Sequence, residues 1–255
     1  MGSAIVRGVL AAGRVQPGDV LAFDPDAGCS AEAGRLGLRV VSSAAALSEV
    51  SVLLIAVKPQ RFGELARQLG PLPRPTLVIS VMAGITMHAM ASTLGRHARI
   101  ARVMPNTPAR IGAGMSTVAF SDGCTTSDRD DVVTMFETIG LVHRIDESLM
   151  DAATAVCGSG PAYIFHLAEH MMRGAREAGF DAATADLLVR QTILGAAELL
   201  RHSSDDPEAL RRAVTSPAGT TAAALAVLDA AGAGEAMVRA IVAARDRGRE
   251  LSMGA

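Results

Sequence analysis

The chain has 255 residues, 49% of them hydrophobic and 3% aromatic, with 24 basic against 26 acidic side chains and a net charge of −2. That length and apolar content can bury one large core or two ordinary ones, and the interspersed charges exclude nucleic acid and an acidic membrane surface as the main partner. Three widely spaced cysteines, Cys29, Cys124 and Cys157, exclude a disulfide scaffold, no apolar run approaches the ~20 residues of a membrane span, and no signal peptide opens the chain, so a cytoplasmic protein is expected.

The first ten residues form a helix pattern with apolar side chains on one face and Gly2 at its start. In a dinucleotide fold such a helix follows a strand and a tight glycine turn and holds the pyrophosphate at its amino end. Gly2 therefore reads as the last glycine of that fingerprint, with the first strand and earlier glycines missing from the sequence. On this reading the chain binds dinucleotide weakly and is less stable than a complete fold; the competing reading is a helix that merely starts the protein. Val20 to Phe23 reads as a strand, and Asp24 follows it 22 residues after Gly2, near the ~20-residue spacing at which an acid takes the ribose hydroxyls. Leu38 to Val41 predicts the next strand.

Val52 to Val57 is a continuous apolar run of the kind buried in a parallel sheet, and it leads into Ala56-Val57-Lys58-Pro59. Lys58 is the only lysine among the 24 basic residues. A composition that avoids lysine elsewhere suggests that position 58 uses a compact ammonium on a flexible stem. It would stand at a strand's carboxyl end, where open α/β sheets bind ligands; an ordinary surface position is the alternative. Thr76 to Val81 predicts a strand that ends in Met82-Ala83-Gly84, small residues that admit a flat ring. Ile100 to Met104 predicts another, followed by Pro105-Asn106-Thr107-Pro108, whose two prolines freeze a turn that presents Asn106 and Thr107. Met115 to Phe120 and Leu141 to Arg144 complete the strands. Strands alternating with helical stretches at this interval point to βαβ units around a mostly parallel sheet.

After about Ile145 the strand signal vanishes. Ala162 to Ala178, Ala182 to Arg201, Pro207 to Val214, Thr221 to Ala230 and Glu235 to Leu251 carry apolar residues at helical spacing, with Gly179 ending one helix and Asp181 capping the next. The expected fold is therefore α/β, a Rossmann-like domain over residues 1–146 followed by an all-helical domain over 147–255. Cys157 to Tyr163 reads as a loop joining the two, with Pro161 in a helix's first turn. Thr215 to Thr221 is a second loop into a helix, whose hydroxyls and amides suit a small carboxylate. Each loop taken alone is equally a capping turn. His166-Leu167-Ala168-Glu169-His170 matches the inverted zinc-protease pattern, but no third ligand stands out, and no metal is expected.

Taken together, Ala56 to Pro59, the Met104-to-Pro108 loop, Gly158 to Tyr163 and the Thr215-to-Thr221 loop, with Ala222-Ala223-Ala224-Leu225 behind it, resemble the pyrroline-5-carboxylate reductase family. The resemblance runs from Gly2 to about Leu251. It implies a nicotinamide-binding Rossmann domain and a helical domain that interlocks two subunits into a homodimer, with further assembly, commonly a decamer, in some members. The implied reaction is hydride transfer from NADPH or NADH to 1-pyrroline-5-carboxylate, a small-molecule substrate, giving L-proline.

By similarity, Ser216, Gly219, Thr220 and Thr221 hold the substrate, with the Thr221 hydroxyl on the ring nitrogen. Ala56, Val57, Lys58, Pro59, Ala83 and Gly84 line the cofactor, joined by Gly2, Asp24 and Asn106. Departures from the family pattern are Ala218 for a usual glycine, Cys157 for a common serine, and a carboxylate at position 24 that tilts the cofactor choice towards NAD. Two alternatives stand beside this reading. A hydroxy-acid dehydrogenase of related architecture would need a lysine in the helical domain, and none is there; a non-catalytic cofactor-binding or dimerisation relic would fit the missing first strand.

Overall fold

The computed structural model describes residues 1–253, which form two compact units: residues 1–159 with the chain from Val242 onward, and Gly160–Ile241. The first unit alternates helices and strands as the sequence predicts: α1 (Gly2–Ala11), β1 (Leu21–Ala22), α2 (Ala27–Arg35), β2 (Arg39–Val40), β3 (Val52–Ile55), α3 (Phe62–Leu69), β4 (Leu77–Ser80), α4 (Met87–Leu94), β5 (Arg99–Met104), β6 (Gly114–Phe120), α5 (Thr126–Glu137) and β7 (Gly140–Arg144). Five strands form one sheet in the order β3-β4-β5-β6-β7, parallel except between β5 and β6. β1 and β2 make a separate parallel pair. They are two residues long, shorter than the four-residue runs predict.

Side chains alternate across a strand, and β4 shows the consequence. Leu77 and Ile79 join Ile5 and Val9 of α1 and Val132 and Phe136 of α5, while Val78 joins Phe62 and Ala66 of α3 and Met90 and Leu94 of α4. Helices therefore cover both faces, which is why these strands read as unbroken apolar runs. Each of the larger side chains among them contributes about 1.5–3 kcal/mol on burial. Charge at the amino end of β5 is managed locally: Thr125 and Asp128 form a reciprocal cap on α5, and Arg99 reaches Asp128 at 2.8 Å. Because β3, β4 and β5 run in one direction, the loops leaving their carboxyl ends share one border of the sheet.

After β7 come α6 (Met150–Ala153) and a π-helical turn, Thr154–Gly158. Here the structure corrects the sequence reading: the segment from Cys157 is not a loop, because Ser159 N–H reaches back five residues to the Thr154 carbonyl at 2.8 Å and α7 (Gly160–Glu177) begins at once. The helical unit continues with α8 (Ala182–His202), α9 (Pro207–Ala213), α10 (Thr220–Ala230) and the first part of α11 (Ala233–Met253), which ends in the first unit. Gly179 takes φ +108 after α7, and Asp181 caps α8 by accepting from Thr184 N–H at 2.8 Å, as the sequence predicts. Few side chains of this unit are buried, and Phe165, Leu187 and Val227 are each at least 65% exposed. Among the described residues, no helix is long and apolar enough to cross a membrane.

Candidate active site

Most of the residues expected at the cofactor lie along the carboxyl ends of β3 and β4. The amino end of α1 packs there directly: a Cβ on Gly2 would stand 3.0 Å from Ala56 Cβ. Ile5 and Val9 anchor α1 in the core and thus fix that approach. Lys58, with φ −64 and ψ 140, breaks from the strand and starts the short turn Pro59–Arg61, its carbonyl accepting from Arg61 N–H at 2.8 Å. Its side chain is exposed and makes no ion pair among the described residues.

Beyond β4, Ala83 is half-buried and Gly84 is buried at φ +76, a conformation that L side chains rarely adopt. A Cβ on Gly84 would also come within 3.2 Å of Leu251 Cβ, so the last turns of α11 lean on this loop. Asn106 stands beyond β5, and each atom of its amide makes one backbone contact: Nδ2 donates to the Cys157 carbonyl at 3.1 Å, and Oδ1 accepts from Met115 N–H at 2.9 Å. It ties the proline loop to the π turn and to β6. Gly158 lies close by, where a Cβ would strike Met104 Cε at 2.7 Å, and burial raises the Cys157 thiol above its ordinary value.

Asp24 follows β1 and is exposed. Its Oδ1 accepts from Asp26 N–H at 2.9 Å, and its charge is the first cause raising the Cys29 thiol pKa. Two acids thus gather just ahead of α2, since Asp26 itself caps that helix through Cys29 N–H at 2.8 Å. A phosphate approaching this corner meets negative charge.

The expected substrate residues all belong to the helical unit. Thr215 N–H and Oγ1 close the end of α9 by donating to the Arg212 and Arg211 carbonyls. Ala218 then takes φ +59, the only non-glycine residue with positive φ among those described, so the usual glycine at this position has a backbone reason. Gly219 is held over Ser216, N–H to carbonyl at 3.1 Å, with no room for a Cβ against the Ser216 hydroxyl. Thr220 and Thr221 open α10, whose amino end carries no side-chain cap. Its first N–H groups are open to an anion.

On α7, His166 and His170 stand with Nε2 atoms 3.1 Å apart and rings nearly perpendicular. Among the described residues, no third His, Cys, Asp or Glu joins them in a metal-sized group. An open groove of about 510 Å³ lies at the other ends of β4 and β5, beside Pro75, His88, His97 and Arg99, away from all the residues above. Sequence reading passed over Arg102, which is 3% exposed on β5 and meets Glu147 at 3.3 Å and Asp151 at 3.5 Å. An arginine inside the apolar run Ile100 to Met104 was the available signal.

Two family models match the chain. Pyrroline-5-carboxylate reductase dimerisation covers residues 147–251, and NADP oxidoreductase coenzyme F420-dependent covers residues 1–84. The pyrroline-5-carboxylate reductase of Methanosarcina acetivorans is 36% identical over 98% of this chain and 94% of its own length; that of Escherichia coli is 32% identical over 99% and 95%. Among solved structures, the pyrroline carboxylate reductase of Plasmodium falciparum, determined with NADP bound, superposes with a TM-score of 0.90 at 27% identity, covering 99% of this chain and 94% of that one.

Proposed function

This chain belongs to the pyrroline-5-carboxylate reductase family, and from that premise we propose how its residues divide the reaction. The reaction is reduction of 1-pyrroline-5-carboxylate to L-proline, the last step of proline biosynthesis, with NADPH or NADH as the hydride source. Residues 1–146 serve the dinucleotide and residues 147–255 the substrate and subunit contacts.

The observation that carries the cofactor assignment is the close packing of Gly2 on Ala56 beside the positive-φ turn at Gly84. Small side chains at Ala56, Ala83 and Gly84 leave room for a flat ring at the strand ends, and Val57 with Pro59 gives it an apolar wall. The exposed ammonium of Lys58 is placed to meet phosphate. Asn106 holds its loop through one donor and one acceptor of its amide and turns the remaining donor and acceptor to the cofactor. When bound, the nicotinamide supplies the hydride; the chain supplies orientation. Asp24 receives a ribose hydroxyl and disfavours a 2′-phosphate by repulsion.

For the substrate, the uncapped amino end of α10 offers its N–H groups to the carboxylate, favoured by the helix dipole. Ser216 and Thr220 add hydroxyls, and Gly219 lets the ligand approach the backbone. The Thr221 hydroxyl oxygen accepts from the N–H of the protonated ring nitrogen, fixing the imine face. A protonated imine is already an electrophile, so no activated nucleophile is needed. The exposed apolar faces of the helical unit and its dimerisation-family match support a homodimer, with a decamer as the larger assembly in our reading, and the three free cysteines support a cytoplasmic setting.

The test is NAD(P)H oxidation dependent on 1-pyrroline-5-carboxylate, in wild type and Thr221→Ala. Loss of one transition-state hydrogen bond lowers turnover roughly 10-fold or more with the dimer intact. Unchanged kinetics remove Thr221 from the mechanism.

A further inference from the structure

We propose that Arg102 is a positioning residue: it clamps the loop after β4 and the last turn of α11 to each other, and so sets how tightly the enzyme holds its nicotinamide cofactor. This rests on the cofactor placement given above.

Three observations meet at this side chain. Arg102 is opposite Ser80, the last residue of β4, in the sheet register, and so lies under the loop that carries Ala83 and Gly84. One arm of its guanidinium, Nη1, reaches Glu147 Oε1 at 3.3 Å, and that same oxygen accepts from Met87 N–H at 2.7 Å. Met87 is the first residue of α4, so Glu147 satisfies an amide that the helix itself leaves open and pins the far end of the β4–α4 loop. The other arm, Nη2, faces Asp151 Oδ1 at 3.5 Å, and that oxygen accepts from the Ser252 hydroxyl at 3.1 Å.

Gly248 fits against Asp151, where a Cβ would come to 3.2 Å, and Leu251 rests on Gly84. The two carboxylates thus hold the two sides of one contact, and Arg102 joins them from beneath. Nothing about burial alone calls for an arginine here, since its Nε is buried without a partner among the described residues. The planar fork gives each carboxylate its own nitrogen, Nη1 to Glu147 and Nη2 to Asp151, a fixed spread of donors that the single nitrogen of an ammonium does not reproduce.

Arg102→Lys keeps the charge and loses the fork; Glu147→Gln, on a side chain 31% exposed, keeps the shape and loses the ionic link. Both are expected to raise the dissociation constant and KM for NADPH roughly tenfold, as for a lost charge-assisted hydrogen bond, with KM for 1-pyrroline-5-carboxylate unchanged. Hydrogen exchange in the cofactor-free enzyme should quicken in Arg102→Lys at both Val81 to Met87 and the last turn of α11. In Glu147→Gln it should quicken at Val81 to Met87 alone. A fall in kcat with both KM values and NADPH affinity at wild-type levels, the signature of less folded enzyme, overturns the proposal. So does loosening of only one segment in Arg102→Lys. A wild type that binds NADPH without reducing the imine refutes the assigned reaction instead, and leaves affinity and exchange to decide this one.

Discussion

Ala218 holds a left-handed backbone at φ +59 in the loop assigned to the substrate. An L-residue there costs roughly 1–2 kcal/mol, because Cβ crowds the following carbonyl. Glycine escapes that cost but adds about 0.5–1 kcal/mol of unfolded-chain entropy. The side chain is exposed, so removing its methyl group forfeits no core packing. Ala218→Gly should therefore stabilise the enzyme by about 0.5–1 kcal/mol, or ~1–4 °C in Tm for a chain of this size. Ala218→Val, branched at Cβ in the same conformation, should destabilise by more than 1 kcal/mol, on the order expected of a strained backbone. Urea unfolding at matched m-values reads both. KM for 1-pyrroline-5-carboxylate should stay level or fall in the glycine variant, since the loop is held in its native shape with less strain. A glycine variant less stable than wild type, or a valine variant as stable as wild type, would refute the strain argument.

Three further outcomes are expected. Asp24→Ser should raise the preference for NADPH over NADH, measured as the ratio of kcat/KM values; an unaltered ratio would show that Asp24 does not reach the ribose. Burial opposes charge on Asp128, but hydrogen bonds from Thr125 and the nearby Arg99 outweigh it and hold the carboxyl below its ordinary 3.8. Its contribution is thus complete above that value and fades as pH falls below it, so Asp128→Asn should cost about 1–3 kcal/mol at pH 7. The gap to wild type should narrow in acid, and one that stays constant down to about pH 2 contradicts the linkage. Chelator treatment should leave reductase activity unchanged; loss that zinc alone restores would assign a metal to His166 and His170.

The strands were legible because a sheet covered on both faces writes itself as apolar runs, and Val52 to Val57 is the clearest. Gly2, Ala56 and Lys58 could be placed together because strand ends in such sheets share a border. Three features were not legible. The π turn differs from an α turn by one reach of hydrogen bonding, a choice that packing around Gly158 and Met104 makes and local propensity does not. Arg102 finds its acids 45 and 49 residues away, beyond any periodic signal. The backbone contacts of the Asn106 amide likewise depend on Cys157 and Met115 arriving from other elements. Ala218 is the instructive intermediate case: its residue type hid the left-handed turn, and only the family's usual glycine hinted at it.

The larger sheet ends at β3, which among the described residues is paired with β4 on one side and with no strand on the other. Val52, 42% exposed, begins that edge, and Val52–Ile55 carries neither a charge nor a proline. A short, uncharged row of unpaired amides and carbonyls is a template for another chain's backbone. Concentrated solutions of this 255-residue chain should therefore lose material through strand-to-strand association starting at β3, and Val52→Lys would act there as a gatekeeper.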